Sequence, residues 1–282
     1  MYALLTLNAY LFFSDEWAAA AHRFVGGIAL EEIIEAFAAS IDNSIWVVLL
    51  LVFELETYIL DDEKFTRRVT WTLHGLRAIC YVIIVYAFFG YLAKLLFLLD
   101  ATPLANVSEL CGLVNNQWAY AVTLDEYAVL TAENCASMSD ATTFHQFAGI
   151  AAVVDSRGLA DITGLAWADV VNAIVWLLVV IVLEIDIRLQ EANKLEGIVL
   201  RVSSTSKIIL YTILLMTAIY WGVKSDFVDT WDAFLWLVAF VFIELNVFNW
   251  RQESLEQKTG RDVRSNQPKV TRSMTHSPGN SL

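Results

Sequence analysis

The chain has 282 residues, 57% hydrophobic, 13% aromatic and 17% charged, with 31 acidic residues against 18 Lys and Arg and a formal net charge of −13. Soluble domains carry about 45–50% apolar and about 25% charged residues, so this composition argues for a membrane protein. The acidic balance excludes a basic phosphate-binding surface and hence a nucleic-acid partner, and three Cys are too few for a disulfide scaffold or a four-thiolate metal site.

Residues 1–43 read as an external or interfacial N-terminal segment. ALLTLNAYLFF, residues 3–13, is apolar but too short to span, and it lacks the positive n-region of a cleaved signal peptide. Residues 24–39 place Glu31, Glu32 and Glu35 among apolar neighbours, the pattern of an amphipathic helix lying at the outer surface.

Five apolar stretches follow, at residues 45–60, 73–99, 170–189, 208–223 and 234–250. With their flanks each reaches or approaches the about 20 residues a spanning helix needs, and Trp or Tyr stands near many of their ends. They divide the chain into a first hairpin (44–99), an external acidic domain (100–169), a second hairpin (170–224), a fifth helix (230–250) and a basic, largely disordered tail (251–282). Cys111 and Cys135 fall in the external domain and form the candidate disulfide, a staple rather than a redox pair. Cys80 lies within a span and reads as a small packing residue.

Loop charges set an expected topology. Lys64, Arg67 and Arg68, then Arg188, Lys194 and Arg201, and six basic residues of the tail mark the cytoplasmic side. Residues 1–43 hold one basic residue against six acids, and residues 100–169 hold one against nine. The expected fold is therefore an all-α polytopic membrane protein of about five helices, N-terminus outside and C-terminus inside. Its localisation would be the cell membrane, multi-pass, with the bacterial inner membrane the first choice.

Three of the spans repeat one pattern. Asp42, Trp46, Glu54 and Glu56 match Asn172, Trp176, Glu184 and Asp186, and again Asp232, Trp236, Glu244 and Asn246. Between the first two copies the offset of 130 continues, with Arg77 falling on Lys207 and Tyr81 on Tyr211. This implies two parallel-repeat hairpins plus a related fifth helix. The leading Asp or Asn reads as a helix N-cap, and the Trp as an interfacial anchor or packing residue.

Twelve residues of helix rise about 18 Å, which carries Glu54, Glu184 and Glu244 past the membrane centre toward the inner side. A charge in hydrocarbon costs at least about 2.5–3.5 kcal/mol, so such a carboxylate faces protein or water and has a partner. Arg77 and Lys207, each 23 residues after Glu54 and Glu184 across a hairpin turn, are the candidate ion-pair partners. Glu244 has no matching base. Because Glu56, Asp186 and Asn246 project about 200° from the leading Glu, they serve as the other half of an intramembrane polar network.

Two functions follow. The carboxylates Glu54, Glu56, Glu184, Asp186 and Glu244, with Asn246, can line a path for cations or protons. Alternatively the chain is a non-catalytic structural or assembly subunit of a membrane complex, its acids forming interhelical pairs. A homo-oligomer or complex partners are compatible with either. HExxH, GxSxG, P-loop and GxGxxG motifs are absent from the sequence, so no enzyme chemistry, cofactor or metal is expected.

Overall fold

Apolar residues at helical spacing build the molecule, a computed structural model that describes residues 2–24, 27–30, 32–55, 67–105, 107, 109–116, 118–139, 143–192, 197–224 and 227–240. The helices are α1 (Tyr2–Arg23), α2 (Ile33–Ala36), α3 (Ala38–Glu54), α4 (Arg67–Leu99), α5 (Ser156–Glu191) and α6 (Gly197–Val223). Residues 227–240 form a seventh, α7. Met1–Leu237 make one unit. Val238–Leu282 make a second, of which residues 238–240 are described, as helix. Glu56, Lys64, Glu244, Asn246 and the tail from residue 251 lie outside the described residues.

Three helices, α4, α5 and α6, are long and apolar enough to cross a membrane. Their outward faces carry Ile79, Val82, Phe89, Ile181, Ile208 and Met216, all exposed. So much contiguous apolar surface suits lipid contact and not water. α4 has 33 residues and α5 has 36. At about 1.5 Å per residue both exceed the about 30 Å hydrocarbon thickness.

The N-terminal segment is built differently from the expectation of a short interfacial stretch. Residues 2–23 form a single 22-residue helix. Its buried stripe is Leu5, Asn8, Phe12, Glu16 and Ala19, spaced at i+3 and i+4. Two polar residues thus belong to the packing face, which is why hydropathy alone cut the helix short. Glu16 meets Ala39 and Ser40, while Tyr2 lies within electrostatic reach of Glu54. Hence α1 runs antiparallel to α3, and the N-terminus lies at the Glu54 end of that pair. The expected topology put those two ends on opposite sides. Residues 24–39 are likewise not one amphipathic helix: 27–30 are irregular, α2 has four residues, and α3 begins at Ala38.

α2 crosses α4 at Gly90, where a side chain would collide with the Ile34 carbonyl oxygen. Glycine is required there for close approach.

Between α4 and α5 stands a small five-stranded sheet, a feature absent from the all-α expectation. Its strands are β1 (Thr102–Pro103), β2 (Ala119–Ala121), β3 (Tyr127–Val129), β4 (Phe144–Gln146) and β5 (Ala152–Asp155), ordered β1-β4-β5-β2-β3. Pairing is antiparallel except between β2 and β5. Alternation along β5 gives the sheet two buried faces. Val153 packs with Leu110, Leu130 and Phe144. Ala152 and Val154 pack with Leu95, Leu98, Ile162 and Leu165 of α4 and α5, which seats the sheet on the helix ends. Cys111 and Cys135 lie at disulfide distance, their Cα atoms 4.9 Å apart; Cys80 is free and buried.

Asp155 ends β5 and caps α5 by accepting from the Gly158 N–H at 2.7 Å. Burial pushes its carboxyl up, but that bond, the Tyr120 hydroxyl at 2.7 Å and the Arg157 N–H outweigh it and hold the group below its ordinary value.

Candidate functional site

The repeated helices α3, α5 and α7 meet at their Trp residues. The Trp46 ring lies 5.9 Å from Trp176 and 6.0 Å from Trp236, tilted by 57° and 62°. All three are buried. These are aromatic packing distances with the tilted geometry that ring quadrupoles favour. The sequence repeat therefore converges in space as a layer across the bundle, and the Trp residues pack there in place of anchoring at an interface.

One turn outward stand Asp42, Asn172 and Asp232, and none of them is a helix cap. Asp42 is the fifth residue of α3, Asn172 the seventeenth of α5, and Asp232 the sixth of α7. The caps lie elsewhere. At α3, Glu16 of α1 accepts the first-turn amides of Ala39 at 2.8 Å and Ser40 at 3.1 Å, and also bonds the Ser40 hydroxyl. At α5 the cap is Asp155. With their helix ends already satisfied, the repeated Asp residues point inward. Asp42 accepts from Trp46 and Asp232 from Trp236, each an i, i+4 contact on its own helix.

Other helices complete the cluster. Asn43 Nδ2 donates to Asp232 Oδ1 at 2.5 Å, and Asn8 Nδ2 donates to the same oxygen at 3.0 Å. The Tyr91 hydroxyl reaches Asp42 Oδ2 at 3.4 Å. Asp42 and Asp232 are near enough to repel one another. Among the described residues neither carboxylate forms a salt bridge. The amide oxygens of Asn8, Asn43 and Asn172 are buried without a hydrogen-bond partner.

Still further out, a cavity of about 390 Å³ is lined by Asp15, Glu16, His22, Asp125, Glu126 and Asp229. Asp229 is one turn before Asp232, and Glu16 two turns after Asn8, so the cavity and the cluster occupy successive turns of α7 and α1. One cation modifies its acidity: Lys94, buried on α4, pairs with Asp125 at 2.5 Å and lies within electrostatic reach of Glu16. Arg23 is held by Glu35 at 2.6 Å and covers the Phe97 ring.

The acids on the other side of the Trp contacts have separate neighbours. Glu54 lies within electrostatic reach of Tyr2. Glu184 accepts from Arg188 of its own helix at 2.9 Å. Lys207, expected opposite Glu184, lies 3.3 Å from Asp186, which also accepts from Ser203 at 2.6 Å. The reason is rotation: two residues apart on a helix project about 200° apart, and it is the Asp186 face that meets α6. Arg77 stands over the Phe53 ring at 4.4 Å. Glu56, Glu244 and Asn246 are outside the described residues.

Sequence reasoning missed Asn8, Glu16, Asn43, Tyr91 and Lys94. A signal existed for the first two, which continue the Leu5–Phe12–Ala19 stripe at helical spacing. Nothing local distinguishes Asn43, Tyr91 or Lys94 from other polar residues near a span end.

No family model matches the chain, and neither a curated protein nor a solved structure is similar to it.

Proposed function

We propose that this is a multi-pass protein of a cell membrane, the bacterial inner membrane being the first choice, that passes a cation or proton along its bundle axis without catalysing a reaction. The observation that carries the reading is the convergence of the repeated pattern at Trp46, Trp176 and Trp236, with two partly buried carboxylates one turn away. The acidic cavity raises cation concentration at the mouth. Asp42 and Asp232 receive the ion, and the Trp layer is the hydrophobic constriction that closes the path. Beyond it Glu54 and Glu184 offer carboxylates toward the inner side; Glu56, Glu244 and Asn246 join the path by the sequence pattern alone and lie outside the described residues. The basic residues that follow Glu54 in the sequence support a cytoplasmic side for the Glu54 end and, with it, the N-terminus.

The test is ion flux through vesicles reconstituted with the purified chain. Wild-type protein is expected to carry cations or protons, and Asp232→Asn to abolish that flux while remaining folded. Undiminished flux in Asp232→Asn would remove the carboxylate from the path.

A second reading has its own observation. Asp186 Oδ2 joins Lys207 and Ser203 in a largely buried network between α5 and α6, as in a structural or assembly subunit whose intramembrane acids serve packing. Absence of flux from the wild-type chain, together with copurification of a defined membrane partner, would favour that reading; a homo-oligomer fits both.

A further inference from the structure

We infer that the cluster formed by Asp42, Asp232, Asn8 and Asn43 is a binding site for a monovalent alkali cation of the Na⁺ class. The inference rests on the transport reading above and names its substrate.

The donors are all oxygen. Asp232 uses one carboxylate oxygen, Oδ1, for both Asn amides. Asn8 is 1% exposed and Asn43 3%, and the Oδ1 of each has no hydrogen-bond partner. Both Nδ2 atoms are committed to Asp232, so each orphan oxygen belongs to an amide anchored on that carboxylate. A buried acceptor left unmet costs about 1–3 kcal/mol, and two such atoms beside an acid pair call for a positive guest. Asp42, next to Asn43 in the chain, brings the second carboxylate. Among the described residues it accepts from the neutral donors Trp46 and Tyr91. Asn172 stands at the equivalent position of α5 with a third orphan oxygen.

Carboxylate and amide oxygens are hard ligands and favour hard cations over soft ones. Ligand charge count then separates the classes. Among the described residues no group of three or more His, Cys, Asp or Glu is placed to hold a metal, whereas strong divalent sites gain affinity from additional carboxylates. Two acids diluted by neutral amide oxygens suit a single positive charge.

The site reports on itself, since Trp46 and Trp236 bond its two carboxylates. Full-length protein in lipid nanodiscs is titrated with NaCl against choline chloride at constant ionic strength, following Trp fluorescence and the thermal unfolding midpoint. A saturable Na⁺ response is expected, lost in Asp232→Asn, weakened about tenfold in Asn43→Ala, and kept in Asp161→Asn, a carboxylate outside the cluster. If Asp232→Asn does not fold, Asn8→Ser is read in the same titration, with weaker Na⁺ binding expected. Identical responses to Na⁺ and choline, or undiminished Na⁺ binding in the folded cluster variants, would overturn the site. Saturation by CaCl₂ at lower concentration than by NaCl would overturn the monovalent assignment. Flux measured on the same preparation separates the two levels: binding without flux leaves the site and removes the transport reading, whereas flux without binding does the reverse.

Discussion

Glu16 shows what a single charged residue accomplishes in this bundle. It is 3% exposed, yet its carboxylate takes two first-turn amides and a hydroxyl of α3. Those amides are the orphan donors of a helix start, and an anion there also meets the positive end of the helix dipole. Hydrogen bonds to charged groups contribute about 1.5–3 kcal/mol. Glu16→Ala is therefore expected to lower stability by about that amount in denaturant unfolding of the detergent-solubilised protein, and Glu16→Gln, which keeps acceptor oxygen, by less. Unchanged unfolding in Glu16→Ala would remove the capping role. Because α3 receives its cap from another helix, Asp42 is released from the duty its position suggests and becomes available to the interior. The same logic holds at α5, where Asp155 caps and Asn172 lies well inside the helix.

Between elements, the second hairpin is closed by Asp186 with Lys207 and Ser203. Breaking a buried pair by removing one partner costs about 3–5 kcal/mol, because the other charge is left unmet. Lys207→Met and Asp186→Asn should each destabilise strongly, and the double variant should recover part of the loss. Strictly additive losses would contradict the pairing. Much at this scale was legible in the sequence. The long apolar runs announced α4, α5 and α6, and Cys111 and Cys135 announced their proximity. The repeated pattern marked Trp46, Trp176 and Trp236, though not that Trp46 would touch the other two. What hydropathy could not announce was α1, whose packing stripe carries Asn8 and Glu16, since averaging treats a buried polar residue as a reason to end a span. The short strands of the external domain were also hidden, because two- to four-residue strands leave too little alternation to read.

Across the whole of residues 1–237, polarity is ordered along the helices. An acidic cavity lies beside the sheet domain, a carboxylate–amide cluster follows one turn further in, then the Trp layer, then the acids of the inner ends. The net charge of −13 is thus more than a solvated surface; part of it is gathered where three related helices meet. The proposed pathway, closed by Trp46, Trp176 and Trp236 and fed by Asp42 and Asp232, gives opposite signs to two substitutions. In reconstituted vesicles, with folded fraction measured alongside, Asp232→Asn should abolish ion flux, whereas Trp46→Ala should raise it above wild type by opening the constriction. Flux that falls in both variants in proportion to folded protein, or that ignores both, would show that ions do not cross at this layer.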